Sequence, residues 1–304
     1  MYFTDVATEY INSIKTKDYS ENTIMGYTID VETFKKWLCK RELQIIEIES
    51  VTRKVIREYI DFLQQKYKYK TIRRKITALR NVLNYAYEYG TIDTNPFWGM
   101  NIRIKNKSEL PSVMELSEVN KFLYVVHNAP GRKYGENTHR RDIAIIELLF
   151  CTGIRVNELA NLKYTDWDDL EHCFKYVAKG KKMKAAFIDN KEVLKALKDY
   201  MNAVKDIGSE YIFLSKLNKK ISTSAVREIV KKYANKAGIP KKITPHTFRR
   251  SYATMLIDSG LDITYVKEAL GHSSITTTQF YIRLSNEATR KALRSKNPRD
   301  RMSF

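Results

Sequence analysis

Apolar residues recur at helical spacing along almost all of this 304-residue chain, and that rhythm restricts it to a mainly α fold. Val6, Tyr10, Ile11 and Ile14 share one face of a segment from Thr4 to Ile14. Ser20 is placed to cap a longer helix carrying Ile24, Tyr27, Val31, Phe34, Trp37 and Leu38, since its hydroxyl can accept a first-turn N–H that has no partner within the helix. Val55 to Lys66 repeats the pattern through Ile56, Tyr59, Ile60 and Leu63, and Thr71 to Tyr89 through Ile72, Ile76, Leu79, Val82, Leu83 and Ala86. Gly90 and the Asn95-Pro96 pair end the last segment. The first hundred residues therefore read as a module of four or five helices.

Asn101 to Pro111 is polar, basic and proline-ended, without an amphipathic period. It reads as a linker, giving domains at 1–105 and 113–304 joined by 106–112. Beyond it, helical patterns resume at Leu116–Val126, Arg141–Cys151, Val156–Leu162, Lys191–Val204, Ser222–Ala237, Thr244–Ser259, Thr264–Ala269 and Thr276–Leu284, with Gly131 to Asn137 a loop. Phe174 to Ile188 breaks the rhythm: two β-leaning runs flank Lys179-Gly180-Lys181-Lys182, the pattern of a hairpin with a cationic turn.

Charge narrows the partners. Fifty-four Lys and Arg oppose 35 Asp and Glu, a balance of +19, and such a field attracts polyanions. Residues 1–110 hold 19 basic and 14 acidic residues and residues 111–304 hold 35 and 21, so most of the excess lies in the second module. No run of about 18 apolar residues is present, which argues against a membrane span, and the N-terminus lacks the pattern of a signal peptide. Cys39, Cys151 and Cys173 are odd in number and form no CxxC; they read as buried small hydrophobes in a reducing, cytoplasmic setting. Within the first module, Lys66, Lys68, Lys70, Arg73, Arg74, Lys75 and Arg80 occur with no acid among them, and Tyr67 and Tyr69 are interleaved. A helix start of this composition suits contact with DNA phosphates.

Several chemistries lack their motifs. No GxxxxGK[ST], GxGxxG, HExxH or GxSxG occurs, and the neighbouring Asp166, Asp168 and Asp169 read as solvent-facing acids. Neither a metal nor a cofactor is expected. Cations, histidines and tyrosines remain, gathered in four segments. Thr152-Gly153-Ile154-Arg155-Val156-Asn157-Glu158 places Arg155 after a glycine break with Glu158 three residues on, so the carboxylate can hold the guanidinium while its other donors face a ligand. Ala178-Lys179-Gly180-Lys181-Lys182 presents a lysine at the hairpin. Pro245-His246-Thr247-Phe248-Arg249 sets His246 and Arg249 one helical turn apart. Leu270-Gly271-His272 follows a helix, and Tyr281 lies nine residues after His272.

This order and spacing resemble the tyrosine recombinase, or phage integrase, family, in particular its Xer-like bacterial branch. The resemblance covers nearly the whole chain and implies a helical core-binding domain in front of a mostly helical catalytic domain with a small β-sheet. It also implies a C-terminal segment that contacts a neighbouring subunit. Carried over residue by residue, it marks Arg155, Lys179, His246, Arg249, His272 and Tyr281 as catalytic, with Glu158 in support. Lys179 is preferred to Lys181 and Lys182. The chain departs from the family pattern at Ala178, where glycine is usual, in Ala185-Ala186-Phe187, and at Arg250, where many relatives have a second histidine. The implied reaction is cleavage and rejoining of double-stranded DNA at inverted-repeat core sites, through a 3′-phosphotyrosyl link and a Holliday junction. The implied assembly is a homotetramer, or a heterotetramer with a related recombinase. A nicking and closing enzyme similar to type IB topoisomerases, and a DNA-binding relative without catalysis, are the alternatives. The helical front domain speaks against the first, and six competent residue types speak against the second.

Overall fold

The computed structural model describes residues 1–17, 19–41, 46–104, 112–129, 135–178 and 182–271. They group into two compact units that divide between residues 109 and 110; the stretch 105–111, which contains most of the expected linker, lies outside the described residues.

In the first unit, the apolar stripes become four helices: α1 (Phe3–Lys15), α2 (Glu21–Cys39), α3 (Arg53–Lys66) and α4 (Tyr69–Glu88). Ser20 caps α2 by accepting the Thr23 N–H, as its position suggested. Thr52 does the same for α3 through Val55. The core is aromatic. Phe34 packs edge-on against Phe3 at 4.9 Å and Tyr59 at 4.7 Å, and stacks on Trp37 at 5.6 Å. The chain start is pinned by hydrogen bonds from Phe3 to Ile46 and from Ile48 to Met1.

The basic run from the end of α3 into α4, Lys66 to Arg80, divides into two groups. Lys66, Lys68, Lys70, Arg73 and Arg80 are exposed. Three of them rest on rings that limit their wandering: Lys66 on Phe62, Arg73 on Tyr69 and Arg80 on Phe97. Lys75 corrects the expectation of a DNA contact. It is buried, 3.0 Å from Asp30 of α2 and 2.7 Å from the Thr33 hydroxyl, with the Tyr67 ring beside its ammonium. Arg74 is exposed, yet lies 2.7 Å from the other oxygen of Asp30. The run carries no acid of its own, but a carboxylate some 45 residues away in sequence compensates two of its members.

In the second unit, α5 (Leu116–His127), α6 (Glu136–Thr152), α7 (Val156–Ala160), α8 (Lys191–Val204), α9 (Thr223–Lys236), α10 (Pro245–Asp258) and α11 (Ile263–Leu270) surround an apolar core. Helix α6 is the axis, since α5, α7, α8, α9 and α10 all pack on it. It begins earlier than the periodicity suggested, because its first turn, Glu136 to Arg140, carries no apolar residue to mark it. Its Asp142 is buried and tied to Arg141 at 2.8 Å, Lys232 at 2.6 Å and Tyr233 at 3.2 Å, which fastens α9 to α6.

Strands β1 (Trp167–Asp168), β2 (Cys173–Ala178) and β3 (Lys182–Phe187) form one antiparallel sheet in that order, so β3 is an edge. Tyr176 pairs with Lys184, and Phe174 with Ala186. The two-residue period turns these four toward the core and leaves Lys175, Val177, Met183 and Phe187 exposed. Cys173 is buried and Cys151 partly so, as small hydrophobes would be, but Cys39 is exposed. Among the described residues no helix is long and apolar enough to cross a membrane.

Lys75→Ala would strand Asp30 in the core with only the exposed Arg74 left to it. Removing one member of a buried ion pair costs about 3–5 kcal/mol, and Arg74 holds the expected loss near the lower end. Urea denaturation of the full chain should show it, whereas the exposed Lys70→Ala should stay within about 0.5 kcal/mol of the parent.

Candidate active site

Two helices of the second unit end in the same way, and the site is built where those ends meet. Helix α6 stops at Gly153, φ +60°, and α11 stops at Gly271, φ +58°. A left-handed residue at a helix terminus favours glycine, and here space demands it as well. A Cβ on Gly153 would lie 2.7 Å from Tyr252 Cδ1 and 2.9 Å from Leu270 Cδ2; one on Gly271 would meet the stem of Lys184.

Arg249 joins these ends. Proline at the first position and the Thr244 cap, whose hydroxyl accepts the Thr247 N–H at 3.2 Å, start α10 so that Arg249 falls in its first full turn. Its buried guanidinium donates from Nη1 to the Gly153 carbonyl at 2.6 Å and from Nη2 to the Leu270 carbonyl. A cation there suits both helices, whose C-terminal carbonyls present partial negative charge.

Arg155 stands two residues past Gly153, at the start of α7. Its Nη1 contacts Glu158 Oε1 at 2.8 Å, its backbone N–H donates to Glu158 Oε2 at 3.0 Å, and its Nη2 reaches the Gly271 carbonyl at 3.4 Å. A third of its side chain stays open to solvent. Burial alone would raise the pKa of Glu158, but the hydrogen bonds from Arg155 and the charges of Lys184 and Arg155 outweigh it and hold the carboxylate below its ordinary range. The spacing of three thus does what the sequence suggested: Glu158 orients Arg155 and leaves part of the guanidinium free.

His246 sits one turn before Arg249 on α10, accessible at the surface. Partial desolvation, then the charges of Arg250, Arg249, Arg227 and Arg155, depress its pKa below that of free imidazole. It is therefore neutral near pH 7 and able to take up a proton.

Two residues join the site that the sequence reading did not single out. Tyr176 places its hydroxyl 3.4 Å from Glu158 Oε2, and burial pushes its pKa up. Lys184 donates to the Leu270 carbonyl at 3.0 Å and lies 3.6 Å from Glu158 Oε1. The period-2 pattern of the hairpin was their signal, because it puts both on the inner face with Phe174. Lys179, His272 and Tyr281 lie outside the described residues. Among the described residues no group of three or more His, Cys, Asp or Glu is arranged to hold a metal ion; Asp168 pairs with Lys175 and Asp169 with Lys198 instead.

β3 also borders a groove of about 850 Å³. Glu147, Asp189, Glu192 and Glu268 line it together with apolar Phe187 and Tyr265, an acidic patch in a strongly basic chain.

Residues 112–288 match the model of the phage integrase family, and residues 7–90 that of the phage integrase N-terminal SAM-like domain. A protein of Agathobacter rectalis named tyrosine recombinase is 34% identical over 293 residues, covering 95% of this chain and 94% of that protein. Tyrosine recombinase XerC of Leptospira interrogans is 34% identical over 303 residues, covering 98% and 94%. A crystal structure of XerH site-specific recombinase bound to a palindromic difH substrate has the same fold, with a TM-score of 0.75 at 20% identity, over 88% of this chain and 78% of that one.

Gly153→Ala should cost about 1–2 kcal/mol for its left-handed backbone and about 1–3 kcal/mol more for overpacking against Tyr252 and Leu270. Gly90→Ala has a similar φ, +69°, but nothing within 4 Å of its Cβ, so it should show the first cost alone. Urea titration of the two variants measures the difference.

Proposed function

The chain belongs to the phage integrase family of tyrosine recombinases, and from that premise we propose that it breaks and rejoins double-stranded DNA at inverted-repeat core sites without metal or nucleotide cofactor. The observation that carries the reading is the convergence of Arg155 and Arg249 on the Leu270–Gly271 carbonyls, immediately before His272 in the chain. Attack on a phosphodiester builds negative charge on the non-bridging oxygens. Two guanidiniums with fixed donors stabilise that charge at little reorganisation cost.

In the proposed reaction the Tyr281 hydroxyl attacks phosphorus and the bond to the 5′ oxygen breaks. A 3′-phosphotyrosyl link and a free 5′ hydroxyl result. His246, neutral at working pH, accepts the tyrosine proton. His272 donates a hydrogen bond to the phosphate, and Lys179 supplies a proton to the leaving oxygen. Because the link retains the energy of the phosphodiester, a 5′ hydroxyl from a second duplex reverses the step. Two such rounds resolve through a four-way junction.

The exposed cations between Lys66 and Arg80 would follow the phosphate backbone and hold the first unit on the duplex. Synapsis would assemble four protomers of this chain, or two of this chain with two of a related recombinase. The acidic, partly apolar groove beside β3 supports this reading. The sequence after Leu284 carries Arg290, Lys291, Arg294 and Lys296 with Ala288, Ala292 and Leu293, a composition that complements it. In this reading the work is cytoplasmic and takes place on the nucleoid, where the DNA substrate lies.

A suicide duplex, nicked so that the cleaved strand diffuses away, tests the chemistry. Wild type should become covalently joined to DNA and Tyr281→Phe should not. Arg155→Lys and Arg249→Lys should each slow the first turnover about 10²–10³-fold. If wild type forms no covalent product, the chain is a DNA-binding relative without catalysis; adducts without junctions between two duplexes select the nicking and closing reading.

The same assay run against pH probes the base. A base works when deprotonated, so cleavage should fall as pH drops through the depressed pKa of His246. The acid limb should lie below about pH 6.5, the ordinary imidazole value, and should be lost in His246→Gln.

A further inference from the structure

Two arginines account for the convergence on the Leu270–Gly271 turn in the reading above, yet a third cation reaches the Leu270 carbonyl. Lys184 comes from edge strand β3, with only 13% of its side chain exposed. Its ammonium shares the Leu270 carbonyl with Arg249, at 3.0 Å, and its stem fills the space beside Gly271, where a Cβ would collide with its Cε. At 3.6 Å it also faces the Glu158 oxygen that holds Arg155.

We propose that Lys184 is a positioning residue for strand cleavage: it latches β3 to the end of α11 and, through Glu158 and the Leu270 carbonyl, sets the orientation of Arg155 and Arg249. The proposal rests on reading this site as the recombinase active centre.

The setting is a poor one for a merely structural lysine. An ammonium desolvated beside two guanidiniums meets repulsion that one carboxylate and a carbonyl only partly offset, and the same surroundings lower its pKa. Groups assembled against their own electrostatics characterise sites that bind an opposite charge, and a phosphodiester would relieve the repulsion. The geometry also distinguishes Lys184 from a group that touches substrate, since its donors point at Leu270 and Glu158. Its effect must therefore pass through what those residues hold. Because Arg155 is fixed by Glu158 on one side and by Gly271 on the other, release of Lys184 loosens both restraints together. Misplacement by about 1 Å of a group in phosphate contact can cost about 10²-fold in rate.

The test compares Lys184→Met, which keeps the stem and removes the charge, with Lys184→Arg, which keeps both. The probe is a nicked suicide duplex carrying sites selected by this chain from a randomised library. Single-turnover cleavage and equilibrium DNA binding are measured on the full-length protein. Lys184→Met should cleave about 10- to 100-fold more slowly with its Kd within about twofold of wild type, and Lys184→Arg should recover most of the rate. Equal cleavage by Lys184→Met and wild type overturns the proposal. So does a parallel loss of binding, cleavage and thermal stability in both variants, which assigns the residue to packing alone. Absence of covalent product from wild type would instead overturn the recombinase reading, which keeps the two failures apart.

Discussion

A single buried guanidinium ties together the ends of two helices, and the geometry of the site depends on it. The carbonyls of Gly153 and Leu270 fall where helix hydrogen bonding runs out, and a buried carbonyl without a donor is costly. Arg249 supplies both donors from one rigid plane. Three separate stretches of chain, at residues 153, 249 and 270, are thereby fixed to one another with little freedom. Rigid placement matters more here than attraction, because a mobile arginine would have to be ordered each time substrate arrived.

Glu158 is the complementary fixture. It receives the backbone and side chain of Arg155, the hydroxyl of Tyr176 and the nearby charge of Lys184. One carboxylate thus links the start of α7 to both strands of the hairpin. The hairpin can do this because its inner face changes character along its length: Phe174 and Ala186 pack into the core, while Tyr176 and Lys184, one cross-strand pair further on, turn polar.

Much of this organisation was legible in the sequence wherever the determining contacts are local. The apolar periods located the helices, Ser20 marked the start of α2, and the Arg155–Glu158 spacing anticipated a contact one helical turn long. The first turn of α6 escaped because Glu136 to Arg140 is polar throughout and periodicity has nothing to register. Lys75 was misjudged for a different reason: its counter-charge, Asp30, lies on another helix, and no window on α4 contains it. Lys184 escaped because a run of lysines near a turn looks uniform until strand register selects which one faces inward. Residues whose environment is made by distant chain are where one-dimensional reading loses its power.

The burial of Lys75 has a consequence for how ionic strength acts on this protein. Salt weakens protein–DNA association because each cation that neutralises a phosphate releases a condensed counterion. A lysine already neutralised inside the fold has no part in that exchange. In the proposed complex with DNA, the stoichiometry of ion release would therefore come from exposed side chains such as Lys66, Lys68, Lys70, Arg73 and Arg80, and formal charge overstates it. Asp30 acts as an internal counterion buried with its partner, so ionic strength weakens the α2–α4 contact far less than it weakens any attraction made by the exposed cations.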